Sequence, residues 1–171
     1  MKCKPILIVA GEPNSVFLEI FFKSIKENIK SPLILIASYK LILMQMKKFR
    51  FKKKIKILDV KKIQNYSLDN NVINLIDVSY NQKKPFEKIS KKSNNYINES
   101  FLIAFKLIRQ GFTKKLINGP ISKKNFLEKK NLGITEYISK KFFIKNYGML
   151  IYNKDLSVCP VTTHVPLKLV S

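Results

Sequence analysis

The chain has one histidine, His164, in Val161-Thr162-Thr163-His164-Val165-Pro166-Leu167-Lys168, where an apolar run gives way to a proline-marked turn. A neutral imidazole at a strand end suits zinc or a related divalent ion. One imidazole is not a metal site, which takes several protein donors. On the residues alone, a histidine satisfied beside the turn is the alternative. Thr135, in Gly133-Ile134-Thr135-Glu136-Tyr137, carries a hydroxyl that can donate or accept a hydrogen bond to a ligand. The same hydroxyl could instead cap a helix running to Phe143, with Glu136 just inside. In Gly119-Pro120-Ile121-Ser122-Lys123 the serine can cap a helix and the lysine can approach a phosphate or carboxylate. Surface solvation explains Lys123 equally well, so neither residue is assigned to a site. There is no G-x-G-x-x-G, Walker A, G-x-S-x-G or H-E-x-x-H pattern.

These residues hang on a strand–helix alternation. Residues 5–10 (PILIVA) are a continuous apolar run closed by Gly11-Glu12-Pro13, as in a strand buried on both faces. Residues 16–29 have helical spacing, with Phe17, Ile20, Phe21, Ser24 and Ile25 on one face. Residues 33–37 and 39–48 repeat the strand–helix unit, and 55–60 and 72–76 read as further strands. Residues 79–92, polar and broken by Pro85, form a surface connection. Residues 95–110 are the clearest amphipathic helix, with Ile97, Phe101, Leu102, Phe105 and Ile108 inward and Gly111 at its end. A short strand over 115–118 precedes helices over 125–130 and 135–143. Residues 149–152 and 156–161 form a hairpin around Asn153-Lys154-Asp155. The expected fold is therefore α/β with a mostly parallel sheet, and a hairpin in a second subdomain. The domains are expected at 1–118 and 119–171.

Composition limits the function. The net charge is +22, with 33 basic against 11 acidic residues, but only Arg50 and Arg109 are arginine. Phosphate-clamping proteins lean on the bidentate arginine fork. Lysine enrichment together with Ile, Asn, Phe and Tyr fits AT-rich coding, so no specific nucleic-acid partner is expected. Cys3 and Cys159 form no C-x-x-C pair, which fits a reducing compartment. The amino-terminal apolar run is too short for a signal peptide. No segment approaches the roughly 18 apolar residues of a membrane span, so a cytoplasmic protein without a membrane partner is expected.

Four ordered segments carry a resemblance: residues 6–19 (ILIVAGEPNSVFLE), 116–123 (LINGPISK), 133–137 (GITEY) and 158–168 (VCPVTTHVPLK). Together they resemble the amino-terminal half of the 4-hydroxythreonine-4-phosphate dehydrogenase family, which acts in pyridoxal phosphate biosynthesis. The T-T-H-x-P-L segment is the most distinctive. The resemblance implies the two-domain isocitrate/isopropylmalate dehydrogenase-like fold, here truncated. It implies an NAD-dependent oxidoreductase that uses a divalent metal (zinc, magnesium or cobalt) to oxidise a small phosphorylated amino acid, 4-phosphooxy-L-threonine. Hydride leaves for the nicotinamide while the metal holds the hydroxyl, and the β-keto acid product loses carbon dioxide. The complete protein is implied to be a homodimer.

By that resemblance His164 is a metal ligand and Thr135 binds substrate. Ile134 stands where the family usually has a histidine, and isoleucine makes no polar contact. Between Glu12 and Glu19 the family's loop glycines are replaced by Asn14-Ser15-Val16-Phe17-Leu18. The family's remaining metal ligands, phosphate-gripping residues and most nicotinamide contacts lie beyond Ser171. The 171 residues alone are therefore expected to be inactive. A noncatalytic remnant serving as a binding or assembly module is the alternative, and a basic nucleic-acid-binding domain a more remote one.

Overall fold

The computed structural model describes residues 3–127, 133–162 and Lys168. His164 lies outside these. The chain divides into two compact units, residues 1–130 and 131–171, a division that falls after the Asn118–Ser122 stretch.

The first unit is built on five strands: β1 (Ile6–Val9), β2 (Leu33–Ala37), β3 (Ile55–Ile57), β4 (Ile73–Asp77) and β5 (Leu116–Asn118). They lie in the order β3-β4-β2-β1-β5, and every pair is parallel. A parallel sheet needs crossovers that cover its faces, so its central strands carry no polar alternation. All five residues of β2 are buried. The last three of β1 are buried too.

Three helices supply three of the four crossovers: α1 (Phe17–Ser24), α2 (Tyr39–Lys48) and α3 (Asn94–Arg109). Leu18, Phe21, Phe22 and Ile25 pack with Leu41, Ile42 and Met46 against Ile8, Leu35, Ala37 and Leu75. Right-handed crossovers place α1 and α2 on one face, and α3 on the other because the chain reverses direction along the sheet. There α3 lies against β1 and β2 with Ile97, Phe101, Ala104 and Phe105 buried.

Several sequence expectations need adjustment. Ile20 and Leu102 are about half exposed, at 52% and 47%. The buried faces turn instead toward Leu18 and Phe22 in α1, and toward Ala104 and Leu107 in α3. α1 ends at Ser24 rather than Ile29, with Ser24 Oγ donating to the Ile20 carbonyl at 3.0 Å. β3 stops at Ile57, because Asp59 then caps a 3-10 turn over Val60–Asn65 by accepting from Lys61 N at 2.8 Å. α3 ends as anticipated. Gly111 sits at φ +74°, with Gly111 N donating to Ile108 O and Phe112 N to Leu107 O, the double bond of a Schellman end. Beyond β5, Ser122 Oγ accepts from Asn125 N at 3.2 Å and opens a π-helical turn over Lys123–Leu127.

In the second unit, α4 spans Ile134–Lys141. The expected hairpin is reduced to one antiparallel bridge, Ile151 with Val158, closed by reciprocal hydrogen bonds of 2.8 and 2.9 Å. Cys3 and Cys159 are free and exposed. Among the described residues no helix is long and apolar enough to cross a membrane.

Candidate functional site

The chain leaves β1 toward β2 on one side of the sheet and later returns to β5 on the other. The carboxyl ends of β1 and β5 therefore flank a topological switch point, where open α/β sheets commonly open a crevice for ligand. Here that point is closed by backbone. Gly119 N donates to Val9 O at 2.7 Å and Glu12 N to Pro120 O at 2.8 Å. A Cβ on Gly119 would overlap the Ala10 carbonyl oxygen and come within 2.8 Å of the Phe17 ring. A Cβ on Gly11, at φ +73°, would strike the Pro120 and Gly119 carbonyls. The two glycines let the β1 and β5 ends touch.

Three amides at and before the start of α1 are also engaged. Ser15 N donates to Glu12 O, Asn14 N to Glu12 Oε1 at 3.3 Å and Phe17 N to Ser15 Oγ at 3.3 Å. The β1–α1 loop thus takes up several of its own donors, whereas phosphate loops keep theirs open.

The same carboxylate is also a hub. Glu12 is 3% exposed, and its Oε2 accepts from Ser93 Oγ, just before α3, at 2.9 Å. Asn14 Oδ1 accepts from Glu87 N at 2.7 Å, tying the 79–92 connection to the same loop. Gln45 of α2, fully buried, donates from Nε2 to the carbonyls of Pro13 and Pro85. Asp77 Oδ1 accepts from Tyr39 N at 2.7 Å at the start of α2. The 79–92 segment, expected as a plain surface connection, is therefore bound into the carboxyl end of the sheet.

The Tyr80 and Tyr96 rings meet here at 5.1 Å. Burial raises the Tyr80 phenol above its ordinary value, and the Glu12 and Glu87 charges raise it further. Burial, first, also raises Tyr96 strongly. Glu87 is shifted the other way: the Lys83 amide, donating to its carboxylate, and then the Lys92 charge hold its pKa down. Both phenols stay neutral over the physiological range, so the cluster fixes geometry rather than exchanging protons.

Thr135 is half-buried in the first turn of α4. It does not cap that helix, because Gly133 holds the N-cap position in extended conformation and Tyr137 N bonds to its carbonyl. Among the described residues the threonine hydroxyl has no hydrogen-bond partner, and Ile134 occupies the turn beside it. Sequence reasoning missed Glu12, Ser93, Asn14 and Gln45. The signal for Glu12 was a carboxylate placed directly after a strand buried on both faces.

The residues described do not by themselves make a metal centre. Among them no group of three or more His, Cys, Asp or Glu side chains is arranged to hold an ion. The closed loop after β1 likewise offers no dinucleotide cradle at that point. No chemical step is therefore derived through either group from these residues.

A family model described as "Pyridoxal phosphate biosynthetic protein PdxA" matches residues 28–171. The chain belongs to this family. The 4-hydroxythreonine-4-phosphate dehydrogenase of Aquifex aeolicus (strain VF5) is 28% identical over 170 residues, covering 96% of this chain and 51% of the relative. The chain thus spans about half the length of the curated relative it matches. Solved structures carrying the same enzyme name superpose well. The one from Burkholderia phymatum gives a TM-score of 0.81 at 20% identity, over 96% of this chain and 51% of that one. The putative one from Salmonella typhimurium gives 0.82 at 20% identity, and that from Klebsiella pneumoniae 0.80 at 21%, each over 96% of this chain and 52% of the other. At these identities the structures establish the α/β fold, and the family match establishes membership.

Proposed function

We propose that this chain is the amino-terminal half of an NAD- and divalent-metal-dependent dehydrogenase that oxidises 4-phosphooxy-L-threonine in vitamin B6 biosynthesis. The observation that carries this reading is the family match over residues 28–171, which takes in three of the four motif segments complete. In it His164 serves as one metal ligand and Thr135 hydrogen-bonds the substrate through a hydroxyl that its own helix leaves free. The metal, when bound, polarises the substrate hydroxyl. Further ligands and the nicotinamide contacts come from the half of the fold that this chain does not span, and from the partner subunit of a homodimer. The setting is cytoplasmic, with a small phosphorylated amino acid as partner and neither membrane nor specific nucleic acid involved.

The internally closed β1–α1 loop and Ile134 favour one second reading, a noncatalytic member that keeps the fold for binding or assembly. Complementation separates the two. The 171-residue chain alone should show no metal- and NAD-dependent turnover. Mixed with a polypeptide carrying the second half of the Aquifex aeolicus relative, it should gain NADH-producing activity that His164→Ala removes. A complex that forms and stays inactive would favour the noncatalytic reading. Turnover by the isolated chain would refute the dependence on a second half.

A further inference from the structure

A concavity lies away from the switch point, between the 3-10 turn at Val60–Asn65 and the carboxyl end of α3. It is an open cleft of about 660 Å³ lined by Val60, Ile63 and the exposed side chains of Lys61, Lys62, Gln64, Asn65, Lys106 and Gln110. That volume falls within the roughly 300–1,000 Å³ of small-molecule sites. From Asn94 to Lys106, α3 rises about 18 Å, which separates this cleft from the Glu12–Ser93 cluster.

The lining is chemically one-sided. It holds three lysines and three carboxamides and no carboxylate. A few lysines elsewhere are engaged: Lys23 with Glu19, Lys92 with Glu87, Lys40 with Asn81, and Lys56 with the Ser67 carbonyl and the Tyr66 ring. Among the described residues the ammonium groups of Lys61, Lys62 and Lys106 have no such partner. The nearby carboxylate of Asp59 accepts from the Lys61 backbone amide. Lys106 also offsets the negative end of the α3 dipole, but that role needs one cation rather than three. Like charges gathered around one concavity sum to a positive potential and draw in counter-ions. Lysine binds phosphate as a point charge, and carboxamide N–H groups add directed donors. Ile63, 4% exposed, gives the cleft an apolar floor.

We propose that this cleft is a binding site for a small polyphosphorylated molecule, separate from the dehydrogenase site. Its concavity and ligand-scale volume favour a compact ligand over a nucleic-acid backbone, which tracks extended basic surfaces.

Titration of the 171-residue chain with inorganic pyrophosphate, followed by calorimetry at near-physiological salt, tests this. Saturable one-to-one binding is expected. It should weaken about tenfold or more in Lys61→Gln/Lys62→Gln/Lys106→Gln and by less than about twofold in Lys26→Gln/Lys30→Gln/Lys47→Gln, which removes the same charge from other exposed positions. Absence of saturable binding overturns the proposal, as does equal weakening in both triple variants. A single-stranded oligonucleotide that binds more tightly than pyrophosphate, with the same dependence on the three cleft lysines, overturns it in favour of a nucleic-acid surface.

Discussion

Substituting alanine for Gly119 tests whether the β1 and β5 ends are held by backbone contact. The new methyl group would overlap the Ala10 carbonyl oxygen and lie 2.8 Å from both the Ala10 carbonyl carbon and the Phe17 ring. None of these is the free end of a flexible side chain. Relief requires β5 to move off β1, which weakens the 2.7 Å bond from Gly119 N to Val9 O and the 2.8 Å bond from Glu12 N to Pro120 O. Overpacking costs about 1–3 kcal/mol, and two weakened backbone bonds add about 1 kcal/mol each. The expected loss is about 3–5 kcal/mol. Gly111 supplies the control, because it lies at φ +74° and a methyl group there would meet nothing within 4 Å. Gly111→Ala therefore carries only the left-handed backbone cost, about 1 kcal/mol. Urea unfolding of both variants followed by far-ultraviolet circular dichroism reads the difference directly. If Gly119→Ala were no more destabilising than Gly111→Ala, the switch point would be looser than described, and the closed-loop argument would fail.

Glu12→Ala should cost about 2 kcal/mol by orphaning Asn14 N and leaving the Ser93 hydroxyl only the Ser90 carbonyl, while Glu12→Gln should cost about 1 kcal/mol; urea midpoints should rank them in that order. Glu12→Ala should also speed proteolytic cleavage within residues 79–92, since that segment is tied down through Asn14. Tyr80 and Tyr96 have pKa values raised above 10.0 in the folded chain. Their contribution to stability is therefore complete below pH 10.0 and is lost as pH rises toward their folded values. Melting temperature should fall from about pH 10 upward, and less steeply in Tyr96→Phe. Chelation should shift the melting temperature of the isolated chain by less than about 1 °C, because the described residues gather no metal-binding group; a larger shift would locate a structural ion.

The elements that stood out in the sequence are those whose local chemistry agrees with their environment. Leu33–Ala37 is an unbroken apolar run because both its faces are covered, and Ser38 caps the next helix by accepting from Leu41 N. Gly111 announces the end of α3 because only a residue free to take positive φ completes that motif at little cost. Which side of α1 and α3 is buried was less legible. Ile20 and Leu102 satisfy helical periodicity, but each is aimed past the sheet. The Glu12 hub could not be read from spacing, since Ser93 lies 81 residues away and no pattern links the two. Thr135 looks like a cap in sequence and becomes a free hydroxyl only because Gly133 takes that position.

The position of β5 beside β1 has a consequence for how the chain is made. Leu7 pairs with Leu116, and Thr113 Oγ donates to the Pro5 carbonyl across 108 residues. During synthesis at roughly 5–20 residues per second, one side of β1 waits on the order of ten seconds for its neighbour. Throughout that interval an apolar strand with unpaired backbone groups is open to other nascent chains. Closure of so long a loop is also slow in refolding, as in other folds dominated by distant pairings. The Gly119 contact is thus the last seam of the sheet to close, and chaperone dependence should be concentrated before it forms.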